Sequence, residues 1–330
     1  MRAIILSNNI YRLSKVFPKD IVNEICQRFN CDGRFLEKKD IVSGYDCKDV
    51  EAIFSTWGMP KFSPKEIRDF FPSLKYVFYA AGSVQDFARP FIDKGVRVFS
   101  SWQANAIPVA EYTFAHIILA NKGYYKVSNR FSFRFIKSLH ARKYTGNYRA
   151  KVGLLGVGEI GSLVAERLKT IDVEVYVYDA FLSDDRANKL NVKKVELEWL
   201  FANCNVISNH LANKTELNNL INYKLLKSMP KRATFINTGR GAQVKEWDLF
   251  RVLAFDKTKY AVLDVTKYEP IGLFNPLRLV RNKVITPHIA GSMGQEVVRM
   301  SRFMLDTSLK VVNGKKVDNE ISLTMLDTMA

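Results

Sequence analysis

Short apolar runs alternate with amphipathic stretches along the first hundred residues: RAIIL at 2–6, EAIFS at 51–55, KYVFYA at 75–80 and VRVFS at 96–100. Runs this short and continuous suit strands buried on both faces, and the stretches between them suit helices. The segment therefore predicts a parallel α/β sheet. After Asn105 the segment IPVAEYTFAHIILA is apolar almost all round, with Pro108 at a plausible first helical position. Such a helix must be buried on several sides. From Lys151 the rhythm resumes with KVGLL, VEVYVY, NVISN, ATFIN, YAVLD and KVITP, six strand-like runs that suit a doubly wound sheet. The chain has no internal repeat, low-complexity tract or heptad pattern, which leaves out solenoids and coiled coils.

Length and charge refine this picture. At 330 residues the chain suits two domains of roughly 150 residues each. No apolar run approaches the roughly 20 residues of a membrane span, and MRAIILSNNIYRLSK lacks the small-residue cleavage site of an export signal. Cys26, Cys31, Cys47 and Cys204 have no metal-like spacing, no metal site is evident, and reduced thiols in a cytoplasm fit best. Lys plus Arg exceed Asp plus Glu by 50 to 33. The surplus concentrates between Lys122 and Arg149, which also holds Phe131, Phe133 and Phe135. That segment reads either as a solvated connection or subunit-contact arm, or as a positive rim steering an anionic substrate or cofactor. Nucleic-acid binding would need a reading motif, and none is recognisable.

The chemistry begins at KVGLLGVGEIGSLVAERLKTI. Gly156, Gly158 and Gly161 follow an apolar strand and open a helix whose Ile160, Leu163, Val164, Leu168 and Ile171 share one face. The first glycine permits a tight turn, the second lets backbone approach a pyrophosphate, and the third lets helix and strand pack closely, with helix N–H groups facing the anion. The next alternating strand ends at Asp179, 18 residues beyond Gly161. A carboxylate there accepts from ribose hydroxyls and repels a 2′-phosphate, and no Arg follows until Arg186. NAD is favoured over NADP.

Three later runs, FINTGRG, VLDVTKYEP and VITPHIAGS, each end a strand in a polar loop, where ligands of open α/β sheets bind. They contribute Arg240, Glu269 and His288. Reduction of a C2 ketone needs a proton donor for the developing alkoxide, which a His supplies near neutral pH. A carboxylate beside it would hold the ring and favour its charged form, and an Arg can fork onto a carboxylate or polarise the ketone oxygen. Singly, each has an ordinary structural role as an alternative: a surface charge, a loop acid, a packed Pro-His turn. Together, on successive strand ends behind a dinucleotide signature, they read as a ketoacid-reduction site.

INTGRG, DVTKYEP and TPHIAGS resemble the catalytic motifs of the D-isomer-specific 2-hydroxyacid dehydrogenases, which include phosphoglycerate, glycerate and D-lactate dehydrogenases, and the likeness runs over most of the chain. The resemblance puts that family's catalytic Arg, Glu and His on Arg240, Glu269 and His288. It implies a Rossmann NAD-binding domain at 102–295 and a discontinuous, flavodoxin-like substrate domain at 1–101 and 296–330, with the substrate in a cleft between them and the hydride coming from C4 of the nicotinamide. The cofactor set it implies is Gly156, Gly158, Glu159, Ile160, Gly161, Asp179, His210, Thr238, Gly239, Asp264 and Asn105, with Asp264 holding the nicotinamide carboxamide. The backbone of Gly82, Ser83 and Val84, together with Arg240 and His288, would bind a small 2-hydroxy or 2-keto acid. A homodimer is expected through the apolar helix after Asn105.

The sequence also departs from that family. Its usual His-x-Pro-Leu-Thr loop stands here as His210-Leu-Ala-Asn-Lys, and its Gly-Ala-Gly-Val-Asp as Ala81-Gly82-Ser83-Val84-Gln85, so cofactor and substrate contacts there differ. His116 and His140 read as structural or surface residues, and His210 can be read so too. Formate oxidation is disfavoured, since that branch pairs its His with Gln and this chain has Glu269. A second reading is an NAD-sensing regulator of the same fold with little turnover, as the family's corepressor members suggest.

Overall fold

All ten apolar runs form strands in the computed structural model, which describes residues 1–128, 139 and 141–326. The chain divides into two compact units, Met1–Asn105 with Ser292–Ala330, and Ala106–Gly291. The first holds β1 (Arg2–Leu6), β2 (Phe35–Leu36), β3 (Val50–Ser55), β4 (Tyr76–Tyr79) and β5 (Arg97–Ser100), in the order β2-β1-β3-β4-β5 with every pair parallel. That is the flavodoxin-like order. The apolar runs are continuous because both faces are covered: Ile4, Leu6, Ile53 and Val77 pack on one side, Ala3, Ile5, Phe54, Phe78 and Phe99 on the other. Burying Phe54 or Phe78 completely stabilises the unit by about 1.5–3 kcal/mol each.

The second unit holds β6 (Lys151–Leu155), β7 (Glu174–Tyr178), β8 (Lys193–Lys194), β9 (Val206–Asn209), β10 (Thr234–Asn237), β11 (Tyr260–Leu263) and β12 (Lys283–Ile285). Their order is β12-β11-β10-β9-β6-β7-β8, all parallel: the Rossmann arrangement with one strand added beyond β11. The direction of winding reverses between β6 and β9, so the loops after those two strands flank the switch point where such sheets bind ligands.

Two expectations need correcting. The second sheet has seven strands rather than six, and the first gains β2; both additions are two-residue edge strands, too short to carry a periodic pattern. Lys193 and Lys194 on one of these edges also discourage pairing with another chain. Pro108 does not open its helix, which runs Trp102–Asn121 with the proline inside. The turn before it, WQANAI, is already helical, with Asn105 N–H bonded to Ser101 O at 3.0 Å. Pro108 costs one intrahelical bond, and the burial of Ala104, Ala106, Val109 and Ala110 outweighs that loss. Within the basic segment, Tyr124–Ser128 is helical, while Arg130, Phe131, Phe133, Arg134, Phe135, Lys137 and His140 lie outside the described residues. No helix among the described residues is long and apolar enough to cross a membrane.

Candidate active site

The turn after β6 meets the demands its three glycines imply. Gly156 has φ +83°, and a Cβ there would stand 2.9 Å from His210 O, so both its dihedral and the approach of the loop after β9 exclude a side chain. A Cβ on Gly161 would lie 2.2 Å from Gly156 O, which is how helix Glu159–Leu168 comes down onto the turn. Gly158 differs from both: nothing lies within 4 Å of its Cβ position, and as the helix N-cap it offers no side-chain cap. The first helical N–H groups are therefore presented to open space, as an anion site requires. Ile160, Leu163, Val164, Leu168 and Ile171 pack into one cluster as the periodicity predicted. Asp179 follows β7 and accepts from Val157 N–H and Phe181 N–H, both at 2.8 Å, which fixes its carboxylate beside the turn. Arg186, too distant in sequence to have been expected, folds back so that Nη2 donates to Val157 O at 2.8 Å and Ser162 Oγ at 2.9 Å. An open Gly158, an uncapped helix start and a fixed carboxylate after β7 fit a dinucleotide.

Beside this turn, His210 follows β9. Its Nε2 lies 2.9 Å from Ser208 Oγ and its Nδ1 3.5 Å from Thr238 Oγ1, which in turn lies 3.2 Å from Thr113 Oγ1. Burial pushes this imidazole down to about 3, so it is neutral. The loops after β9 and β10 are joined by a buried amide lattice that sequence reasoning missed: Asn209 Nδ2 donates to Asn237 Oδ1 at 3.0 Å and to Gln243 Oε1 at 2.7 Å, and Gln243 Nε2 donates to Ala212 O at 2.7 Å. One signal was available, since VISN and TFIN both end in Asn at the ligand-binding edge. Asn237 Oδ1 also accepts from Gly239 N–H at 3.1 Å, shaping the turn that delivers Arg240.

Arg240, Glu269 and His288 come together. His288 Nδ1 lies 2.6 Å from Glu269 Oε2, with side-chain exposures of 51% and 38%, so the pair is open to a substrate. Arg240 is mostly buried; burial pulls its guanidinium below the ordinary value and Glu269 opposes that, leaving it a cation. Among the described residues its guanidinium donates from Nη1 to Gly239 O at 2.9 Å, which leaves most of the five donors of its fork available to an anion. Gly241 holds this strand end against the next: a Cβ there would sit 2.0 Å from the Thr266 carbonyl carbon. Glu246, also unforeseen, fixes the Glu269 loop by accepting from Lys267 N–H at 2.7 Å and Asn275 Nδ2 at 2.6 Å. The Glu269–Pro270 peptide is cis.

His288 has φ +56°, a left-handed conformation that costs a non-glycine residue roughly 1–2 kcal/mol. Its turn is held by Asp264, 2% exposed, whose Oδ1 accepts from Thr286 Oγ1 at 2.7 Å and Ile289 N–H at 2.8 Å and whose Oδ2 accepts from Ala290 N–H at 2.8 Å. The other expected residues belong to the first unit. Asn105 Oδ1 accepts from Ser292 N–H at 3.0 Å and its Nδ2 lies near Gly82, while Ser83 is exposed and Val84 buried just beyond β4. His116 is half-buried against Tyr125 in the second unit.

A parallel sheet with a glycine turn and an acid after its second strand defines a dinucleotide-binding Rossmann unit. Residues 114–290 match the description of the D-isomer specific 2-hydroxyacid dehydrogenase NAD binding domain, and the chain belongs to that family. The unit is therefore an NAD-binding domain. D-3-phosphoglycerate dehydrogenase of Archaeoglobus fulgidus is 29% identical over 71% of this chain, a match that spans only 44% of that relative's length. A protein assigned to the 2-hydroxyacid dehydrogenases in Staphylococcus haemolyticus is 27% identical over 85% of this chain and 87% of its own. Among solved structures, a D-lactate dehydrogenase from Treponema pallidum superposes with a TM-score of 0.74 at 21% identity, covering 98% of this chain and 100% of that one. The NAD-complexed D-isomer specific 2-hydroxyacid dehydrogenase of Lactobacillus delbrueckii gives 0.75 at 17% identity over the same shares. At these identities the two structures establish the fold.

Proposed function

We propose that the protein is an NAD-dependent dehydrogenase interconverting a small D-2-hydroxy acid and its 2-keto acid. The 2.6 Å contact between His288 Nδ1 and Glu269 Oε2 carries this reading, because it fixes which ring nitrogen faces outward. With Nδ1–H donated to the carboxylate, Nε2 is the atom free to exchange a proton with the substrate oxygen. In reduction the imidazolium delivers the Nε2 proton to the ketone oxygen as its charge develops; in oxidation the neutral ring takes the hydroxyl proton at Nε2. Glu269 holds the ring through both directions. Arg240 binds the substrate carboxylate through its unused N–H groups, fixing C2 and its oxygen relative to His288. NAD, when bound, accepts or supplies the hydride. Gly156, Gly158, Glu159, Ile160 and Gly161 would receive its pyrophosphate, Asp179 its ribose, and the His210, Thr238 and Gly239 loops its nicotinamide side. A homodimer is proposed as well, from the half-exposed apolar side chains Phe114, Ile118 and Leu119 on the helix Trp102–Asn121, and sedimentation checks it.

NADH consumption against glyoxylate, hydroxypyruvate, pyruvate, phenylpyruvate, 2-ketoisocaproate and phosphohydroxypyruvate tests the activity. Brisk oxidation with at least one acid is expected. Silence across the panel with NADH binding intact would overturn it in favour of the regulator.

A further inference from the structure

The helix Glu246–Phe255 turns Leu249, Val252 and Leu253 into the core of the second unit and presents Trp247, Arg251 and Phe255, spaced at i, i+4 and i+8, to solvent. The segment Asn275–Asn282 lies along this helix, pinned at both ends. Asn275 Nδ2 donates to Glu246 Oε2 at 2.6 Å, and Asn282 Nδ2 donates to Leu253 O at 3.0 Å. Leu277 of the segment is buried in the same core, while Arg278 and Leu279 are exposed. Leu279 is 78% exposed and Phe255 86%; just before the segment, Leu273 and Phe274 reach 80% and 99%. A lone exposed apolar side chain is ordinary, but large ones gathered on a helix and the segment beside it mark an interaction site.

The charges on the helix and this segment are one-sided. Asp248 is buried and pairs with Lys245 at 3.6 Å, and Asp256 pairs with the buried Lys259 at 3.7 Å. Glu246 is half-buried and turned onto Lys267 N–H and Asn275. Against these stand four exposed cations. Arg251 lies over the Tyr223 ring at 4.4 Å, and Arg278 donates to Gly272 O at 3.1 Å and Ile271 O at 3.0 Å. Neither of them, nor Lys257 nor Arg281, forms an ion pair among the described residues.

We propose that this face docks the protein onto an anionic lipid surface. Leu273 and Phe274 enter the headgroup boundary, while Arg251, Lys257, Arg278 and Arg281 lie over the phosphates. Protrusion separates this partner from a peptide: the side chains lining a peptide groove are half covered by its walls, whereas these stand clear of the body. A second copy of the chain would set the same four cations against each other. The net charge of +17 adds a long-range pull toward the same surface. Attachment is interfacial, since no helix among the described residues is long and apolar enough to cross a membrane.

The test is sedimentation of the full-length protein with vesicles of phosphatidylglycerol and phosphatidylcholine in about equal parts, against phosphatidylcholine alone. We expect the anionic vesicles to retain about tenfold more protein or better, and retention to fall as salt rises from about 0.1 to 0.5 M. Leu273→Ser combined with Phe274→Ser keeps every charge and should lower retention about tenfold, with melting unchanged because both side chains touch little protein. Lys257→Glu combined with Arg281→Glu should weaken retention similarly through charge and serves if the serine variant does not fold. Undiminished retention of both variants would place the contact elsewhere on the basic surface and overturn the proposal; so would equal retention by neutral vesicles. No retention at all would also overturn it and leave the face to an acidic protein partner.

Discussion

The two units contain sheets of one kind, both parallel and both with a point where the winding reverses, yet they finish that point in opposite ways. In the first unit the reversal lies between β1 and β3, and the chain closes it upon itself. Ser7 Oγ donates to Trp57 O at 2.9 Å, Asn8 N–H to Gly58 O at 2.9 Å, and the Asn9 side chain caps the following helix by accepting from Arg12 N–H. In the second unit the reversal lies between β6 and β9, and the chain leaves it open, with an uncapped helix start at Gly158 and a fixed carboxylate on Asp179. Topology sets where a ligand can bind; the loop chemistry decides whether the place is sealed or available. The same contrast extends along the strand ends. Ser55, Thr56, Ser100 and Ser101 return their hydroxyls to main-chain carbonyls of their own sheet, whereas the second unit's strand ends carry Asn209, Asn237, Arg240 and Asp264.

If only the second unit's strand ends carry chemistry, His288→Ala should remove about 10²–10⁴ of turnover, read as kcat, with NADH binding retained; near-normal turnover would break the comparison at its strongest point. Gly158→Ala comes next. Its methyl meets no protein atom, so thermal stability should hold, but it occupies the open anion site, and titration should show NADH affinity down about 10–100-fold. The counterpart is Gly58→Ala, at φ +88° and 2.8 Å from Ser7 Oγ: denaturant unfolding should show a loss of about 2 kcal/mol, and NADH affinity should stay the same. An equal effect of both glycines on NADH would erase the difference between the two points.

The switch points should also differ toward acid. His210 flanks the open one with its folded value near 3, below the ordinary 6.5, so the unfolded chain takes the proton first. Stability should therefore fall as pH drops from about 6.5 toward 3. His210→Gln should flatten that part of the unfolding profile; an unchanged slope would exclude the group. The smallest effect expected is Thr56→Val, which deprives Ala80 O of a 2.8 Å bond and should cost about 1 kcal/mol in melting experiments while sparing NADH binding.

Much of both units was legible because the signals are local. Strands β1, β3 to β7 and β9 to β12 follow from short, nearly continuous apolar runs, and the glycine turn from three residues within one helical start. Arg240, Glu269 and His288 were legible as residue types at strand ends, although nothing in their spacing says that they meet. The edge strands β2 and β8 escaped notice because two residues carry no period, and Pro108 misled because burial of its neighbours outweighs its own preference.

What the sequence by itself determined was therefore the alternation of strands and helices, the dinucleotide turn with Asp179, and the inventory of charged strand ends. Only the tertiary structure decided that His288 rests on Glu269, 19 residues away, that Asn209 joins Asn237 and Gln243 across 28 and 34 residues, that Arg186 returns to the glycine turn, and that Asp264 grips the far side of the next loop. The physical reason is that periodicity and turn chemistry act between neighbours along the chain. Hydrogen bonds across parallel strand ends join residues brought together only after each crossover helix has packed and the register of the sheet is set.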